Sequence, residues 1–291
     1  MAQYSIKDLE RLSGIKAHTL RMWEKRYGIM DPGRTDTNIR MYGDSDLKKI
    51  LNVSILNRYG IKISHIAAME DSELAEKILI ISRDSSDYDS LIENLVIAMM
   101  DMDEENFDKL LSRAIMQNGF EETILKIVYP FMEKIGILWQ TGAINPAQEH
   151  FISNLIRQKM IVAIDSVVPA INPDPKHFLL FLPEGELHEL GLLFYNYLLQ
   201  KRGHKVTYLG QWVPLKDMAA AITVVEIDYL LTSIITVHSG SDLQDYLSRL
   251  SQTFKEKTVF ISGYQTGFLE DNLPENIFRL GTANELFEQL R

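Results

Sequence analysis

Five short apolar runs, each followed by a segment of helix length, fill the last third of this 291-residue sequence, and few folds accept that alternation. The runs lie at 177–183, 205–210, 229–235, 258–262 and 277–280. Helices are predicted over 190–199, over 215–225, near 243–254 and from Ala283. The pattern predicts a doubly wound, flavodoxin-like (Rossmann-like) parallel sheet, with ligands at the carboxyl ends of its central strands.

Three loops fall at those ends. The first follows Pro183 and contains Glu186-Leu187-His188-Glu189-Leu190-Gly191. A histidine held out at the end of a parallel strand offers a ring nitrogen to a metal. A carboxylate two residues earlier can bond the other ring nitrogen, fixing the tautomer and raising ligand basicity, while Gly191 lets the chain approach a large flat cofactor. The plain alternative is a solvated or structurally hydrogen-bonded histidine. The second loop follows Thr232-Ser233-Ile234-Ile235 and the third is Ser262-Gly263-Tyr264. A receiver domain would need an aspartate near Ser233, and a flavodoxin would need a Ser/Thr/Gly-rich phosphate loop where Glu184-Gly185-Glu186 stands. His204 and His238 have no partner spacing and read as surface residues.

The middle of the chain is amphipathic. Polar segments at 82–88 and 169–175 read as linkers, and between them four stripes of period near 3.6 predict an antiparallel four-helix bundle. They are carried by Leu91, Leu95 and Met99; by Phe107, Leu110, Leu111 and Ala114; by Ile124, Ile127, Val128, Phe131 and Ile135; and by Ile152, Leu155, Ile156 and Met160. Asn145-Pro146 caps the fourth helix. The short connection brings Trp139 to the bundle end that holds Glu149 and His150. A Trp beside a polar pair suits a flat ligand, and equally a bundle end filled by the indole with Glu149 on the helix dipole.

Charge divides the chain. Residues 1–66 hold 12 Lys and Arg against 7 Asp and Glu, whereas the rest holds 18 against 33, so a basic module is joined to an acidic body. In the basic module Ser5 caps a first helix through Ile6, Leu9 and Leu12, and Ser13-Gly14 ends it. A second helix buries Leu20 and Trp23 and presents Lys16, His18, Arg21, Lys25 and Arg26 elsewhere. The turn-rich stretch 31–38 then leads into Ile39-Arg40-Met41-Tyr42, a two-stranded wing expected to bring Arg34, Arg40 and Tyr42 to phosphates. Asp44-Ser45-Asp46 caps a further helix through Leu56, and Tyr59-Gly60 ends it. No long heptad helix follows the wing, so dimerisation through an antiparallel coiled coil is not expected.

The absence of cysteine excludes disulfides and thiolate metal sites. No segment approaches the roughly 20 apolar residues that span a bilayer. The first eight residues form no signal core, so a cytoplasmic chain with no membrane role is expected.

Tyr4-Ser5-Ile6, Gly14, the run Thr19 to Gly28, Arg34-Thr35 and Asn38 to Tyr42 resemble the DNA-binding domain of MerR-type regulators. That resemblance places His18, Thr19, Arg21 and Tyr27 on the recognition helix, and Arg34, Arg40 and Tyr42 on the wing. It leaves Glu24 to pair with a nearby arginine, without a DNA role. Glu186, His188 and Gly191, with Ser233 and with Ser262-Gly263, resemble the cobalamin-binding module, in which the histidine is the lower cobalt ligand. Ile235 and Ser262 depart from that pattern, and Leu209 to Pro214 look like its loop after the second strand.

Trp139 and Glu149-His150 are spaced as in the cap of photosensory cobalamin-binding regulators of the CarH/LitR type, where they meet the adenosyl group. Members of that type with a second cobalt ligand carry histidine where this chain has Gln140. The resemblance implies a multidomain α and α/β chain: a winged helix-turn-helix over 1–75, a four-helix bundle cap over 86–168 and a cobalamin domain over 176–291. It further implies a non-enzymatic, light-responsive repressor that binds adenosylcobalamin and double-stranded operator DNA as a homo-oligomer, dimer or tetramer. A regulator of the same build that has abandoned light or cobalamin, and a corrinoid carrier for methyl transfer, are the alternatives.

Overall fold

The computed structural model describes residues 4–35, 38–70, 73–74, 77, 88–140, 144–236, 240–269 and 273–290. The linker expected at 82–88 lies outside them apart from Tyr88, and His238 lies outside them as well. The chain forms two compact units, Met1–Leu155 and Ile156–Arg291. Among the described residues, no helix is long and apolar enough to cross a membrane.

The first unit begins with α1 (Ile6–Ser13) and α2 (Ala17–Tyr27). The Ser5 hydroxyl accepts the Asp8 N–H, and the Asp8 carboxylate accepts the Ser5 N–H in return, so two orphan donors of α1 are satisfied together. Gly14 closes α1 in the left-handed region at φ 74°. The wing pairs β1 (Gly33–Arg34) with β2 (Arg40–Met41), antiparallel. Next come α3 (Asp44–Arg58) and the single turn α4 (Ile63–Ile66). Asp46 accepts from the Gly43 N–H, so α3 begins at Asp44 and this residue lies inside the helix it was expected to cap.

The four predicted bundle helices are α5 (Tyr88–Met100), α6 (Glu104–Asn118), α7 and α8 (Pro146–Asp165). Helix α7 comprises Phe120–Thr123, a wide π turn over Ile124–Val128, and Tyr129–Gln140. The wide turn has a local cause. Pro130 has no N–H and its ring would meet the carbonyl four residues earlier, so the helix opens one turn before it. Asn145 and Gln148 exchange side-chain and backbone bonds at 3.0 and 3.1 Å to cap α8, which runs across the boundary between the units. Phe107 and Phe131 meet in the bundle core with ring centroids 5.7 Å apart.

The second unit is built on β3 (His177–Pro183), α9 (Leu190–Lys201), β4 (Lys205–Val213), α10 (Leu215–Ile222), β5 (Tyr229–Ser233), α11 (Gly240–Thr253), β6 (Thr258–Ser262), β7 (Ile277–Arg279) and α12 (Ala283–Gln289). The strands are all parallel, in the order β4-β3-β5-β6-β7. This is the flavodoxin-like order, with the reversal of winding at β3. Leu179 and Phe181 pack with Met218, Leu247 and Leu250 on one face, while Phe178, Leu180 and Leu182 pack with Leu192, Leu199 and Leu286 on the other. Burial on both faces explains why β3 is a continuous apolar run.

One element departs from expectation. Residues 209–214, expected as a loop, continue β4 as far as Val213, with register shifts opposite Phe181 and Pro183. Positive φ at Gly210 (79°) and Trp212 (56°) turns the strand at this bulged end.

Candidate functional site

The loop after β3 is organised by one carboxylate. Glu186 is 0% exposed. Its Oε1 accepts from the Leu187 and His188 N–H groups at 3.0 and 2.9 Å, from the Thr236 hydroxyl at 2.9 Å and from His188 Nδ1 at 2.7 Å. Its Oε2 accepts from the Ile235 and Thr236 N–H groups at 2.8 and 2.7 Å. Burial alone would push this carboxyl up. The bonds from His188, Thr236 and Ile235 outweigh burial and hold it down at about 2. Glu186 is therefore anionic and accepts from His188 Nδ1, so Nε2, on a side chain that is 56% exposed, is the ring nitrogen outside this bond.

The same carboxylate ties the first loop to the second. Sequence reasoning paired Glu186 with His188 and missed Thr236, whose hydroxyl also lies 3.2 Å from His188 Nδ1. It also missed Glu189, 6% exposed, whose carboxylate accepts from Arg157 Nε of α8 and from the Tyr208 hydroxyl of β4 at 2.9 Å. The Glu189 carbonyl accepts the first N–H bond of α9, from Leu193. Each side of His188 is thus fixed by a buried acid. Gln211, on the bulged end of β4, donates to the Leu187 carbonyl at 2.6 Å.

Gly191, Ser233, Ser262 and Gly263 lie together at the carboxyl ends of the central strands. A Cβ on Gly191, in the first turn of α9, would lie 3.5 Å from Ser233 Oγ. Ser233 and Ser262 are register partners at the ends of β5 and β6, and both are buried. The Ser262 hydroxyl donates to the Thr232 carbonyl at 3.3 Å. Gly263 has φ 100°, and a Cβ there would lie 2.5 Å from the Ile234 carbonyl oxygen, so the second and third loops touch backbone to backbone. A lone imidazole above glycine and serine edges suits a metal that brings its other ligands with it, as in a corrin.

In the first unit, Glu149 and His150 stand in the first turn of α8. Glu149 accepts from the Ser153 hydroxyl at 2.7 Å and lies 3.2 Å from His150 Nδ1, and the His150 side chain is 72% exposed. Trp139 is the penultimate residue of α7, and its side chain lies outside the described residues. His204, expected at the surface, is half-buried against Phe178 and Phe287, and burial lowers its pKa.

The helix-turn-helix head presents a second candidate site. Glu10 accepts from the Ala17 N–H and from Lys16 Nζ, both at 3.0 Å, and so caps α2 from the preceding helix. His18, Arg21 and Arg34 are exposed, while Thr19 and Tyr27 are half-buried. Arg26 lies over the Tyr27 ring at 5.3 Å. Arg34 donates to Asn38 at 2.6 Å across the wing. Two side chains expected at phosphates are bonded within the head. Tyr42 is 1% exposed and its hydroxyl donates to Glu24 Oε2, and Arg40 Nε donates to Glu24 Oε1, both at 2.9 Å. Glu24 bonds both side chains and so braces the wing against α2, with the Arg40 side chain still 39% exposed.

Comparison with known proteins bears on both sites. Residues 4–73 match the family model described as MerR HTH family regulatory protein, and residues 91–163, on the four bundle helices, match the one described as B12 binding domain. The chain is 28% identical over 258 residues to the HTH-type transcriptional repressor CarH of Myxococcus xanthus, covering 86% of this chain and 84% of the relative. It is 26% identical over 260 residues to the repressor CarA of the same organism, covering 89% and 85%. Among solved structures it is similar to the monomethylamine corrinoid protein of Methanosarcina barkeri, with a TM-score of 0.56 and 16% identity over 70% of this chain and 98% of that one. This last likeness is one of fold.

Proposed function

From a chain that joins a MerR-type helix-turn-helix module to a B12 binding domain, we infer a cobalamin-binding transcription regulator that binds operator DNA through α2 and the wing. The observation that carries the reading is His188, its Nδ1 held by a buried anionic Glu186 at the end of β3. His188 Nε2 would hold the cofactor's metal. In the second unit Gly191, Ser233, Ser262 and Gly263 would accommodate the cofactor's tail, and in the first unit Trp139, Glu149 and His150 would meet its adenosyl group. When bound, adenosylcobalamin supplies a cobalt–carbon bond that visible light cleaves.

The chain's own residues supply the rest. Glu186 keeps the ring proton on Nδ1, and Thr236 and Glu189 stop the loop from turning. Glu149 and His150 discriminate the states with and without the adenosyl group, because only differential contacts can move an equilibrium between oligomers. Dark protein is the DNA-bound homo-oligomer and illuminated protein the released form. Gln140 after Trp139 favours one second reading, a regulator of the same build that has lost the response to light but retains cobalamin.

The test is to mix purified protein with adenosylcobalamin in darkness, remove the free cofactor, and record absorption and gel-filtration mass before and after green light. A coloured dark oligomer that shrinks on illumination, with the His-ligated spectrum lost in His188→Ala, is the expected result. Retained colour with no change on illumination selects the light-independent regulator. A colourless protein overturns the cofactor assignment and returns Glu186 and His188 to a structural role.

A further inference from the structure

A buried charge cluster joins the helix-turn-helix head to the helical bundle inside the first unit. Glu93 of α5 is 1% exposed. Its Oε2 accepts from Arg58 Nη2 of α3 at 2.6 Å, and its Oε1 lies 3.2 Å from the Ser54 hydroxyl of the same helix. Arg58 also pairs with Asp89 at 3.3 Å. The Ser54 hydroxyl reaches the Ser13 carbonyl at 2.8 Å, and Lys134 Nζ of α7 donates to the Leu12 carbonyl at 2.9 Å.

Leu12 and Ser13 are the last residues of α1, where helix carbonyls have no partner within the helix. Here they are capped from α3 and from the bundle. Gly14 follows at once, and α2 begins three residues later. The bundle thus holds the turn of the helix-turn-helix.

The cluster is electrostatically demanding. Burial pushes the Glu93 carboxyl up to about 7 against the pull of Arg58 and Lys134, and burial lowers the Lys134 ammonium against Glu93 and Asp89. Each charge depends on the others, and removing one partner of a buried set leaves an uncompensated ion. Such a cluster adds little net stability compared with apolar packing, but it tolerates only one relative placement of α1, α3, α5 and α7.

We propose that this cluster is a latch that makes the helix-turn-helix head and the bundle move as one body, with Glu93 as its pin and Lys134 as the bundle's hold on the turn between α1 and α2. A ligand that repacks the bundle then reorients α2 directly, through side chains. The proposal rests on the head being the DNA-binding module and is independent of what the bundle binds.

The 291-residue chain contains no cysteine, so Met22→Cys on α2 and Met116→Cys on α6, both exposed, accept spin labels at those two positions alone. Dipolar spectroscopy on this labelled chain is expected to give one narrow distance distribution, and Glu93→Ala to broaden it into several. Lys134→Met is expected to speed hydrogen exchange at the amides of 14–17 by about tenfold or more. A broad distribution with Glu93 in place, or one that Glu93→Ala leaves narrow, overturns the latch. Where circular dichroism shows that Glu93→Ala has lost its helices, Glu93→Gln takes its place, and a narrow distribution with unchanged exchange at 14–17 is the overturning result.

Discussion

Glu186 accepts hydrogen bonds from four other residues, and its chemistry follows from that crowding. Its pKa falls from 4.5 to about 2 on folding, so the stability it contributes is present above pH 4.5 and is lost as pH drops through about 2. The shift corresponds to about 3 kcal/mol. Glu186→Gln is therefore expected to cost about that much at neutral pH and to flatten the acid limb of stability in denaturant titrations made between pH 5 and 2. Glu189→Gln leaves Arg157 without its counter-charge; hydrogen exchange at 186–191 is expected to quicken, and retention of cobalamin on gel filtration to weaken by about tenfold. Glu186 and His188 were legible in the sequence because they meet over two residues. Thr236, Arg157 and Tyr208 were not, since they lie 50, 32 and 19 residues from the acids they bond, and nothing short of the fold brings them there.

At the scale of elements, the wing shows how one acid can decide which basic side chains remain available. Arg40 and Tyr42 are drawn to Glu24, whereas Arg34 stays exposed. Arg34→Ala is expected to weaken DNA binding across sequences and to reduce the slope of log affinity against log salt by about 1. Tyr42→Phe removes a bond to a charged group and is expected to cost about 1.5 kcal/mol of thermal or denaturant stability. Its salt slope should be unchanged, which separates a brace from a phosphate contact. The helices and strands themselves were largely readable from apolar period and caps. The exceptions have backbone causes: the bulge that extends β4 to Val213 depends on positive φ at Gly210 and Trp212, and the wide turn of α7 on Pro130. Apolar periodicity reports neither.

The chain divides into two compact units between Leu155 and Ile156, while its charge divides elsewhere, near residue 66. The polar stretch before Tyr88 reads as a linker, and composition says nothing of the few buried side chains around Glu93 that tie the head to the bundle within the first unit. Two compact units predict two unfolding transitions in calorimetry. Gly263→Ala is expected to lower only the one belonging to Ile156–Arg291, by about 3 kcal/mol, since the backbone of Ile234 occupies the space a methyl needs. A single transition shifted as one would refute that expectation.

That close approach also has a consequence for tracing ancestry. Ser262 shows that its own position accepts a side chain, whereas at Gly263 every other amino acid would collide with the Ile234 carbonyl. In chains as divergent as 16% identity, where letters no longer line up reliably, position 263 is a fixed point from which the third loop can be put into register. A distant relative with any other residue at that point has either rebuilt the end of β5 or been aligned one place out.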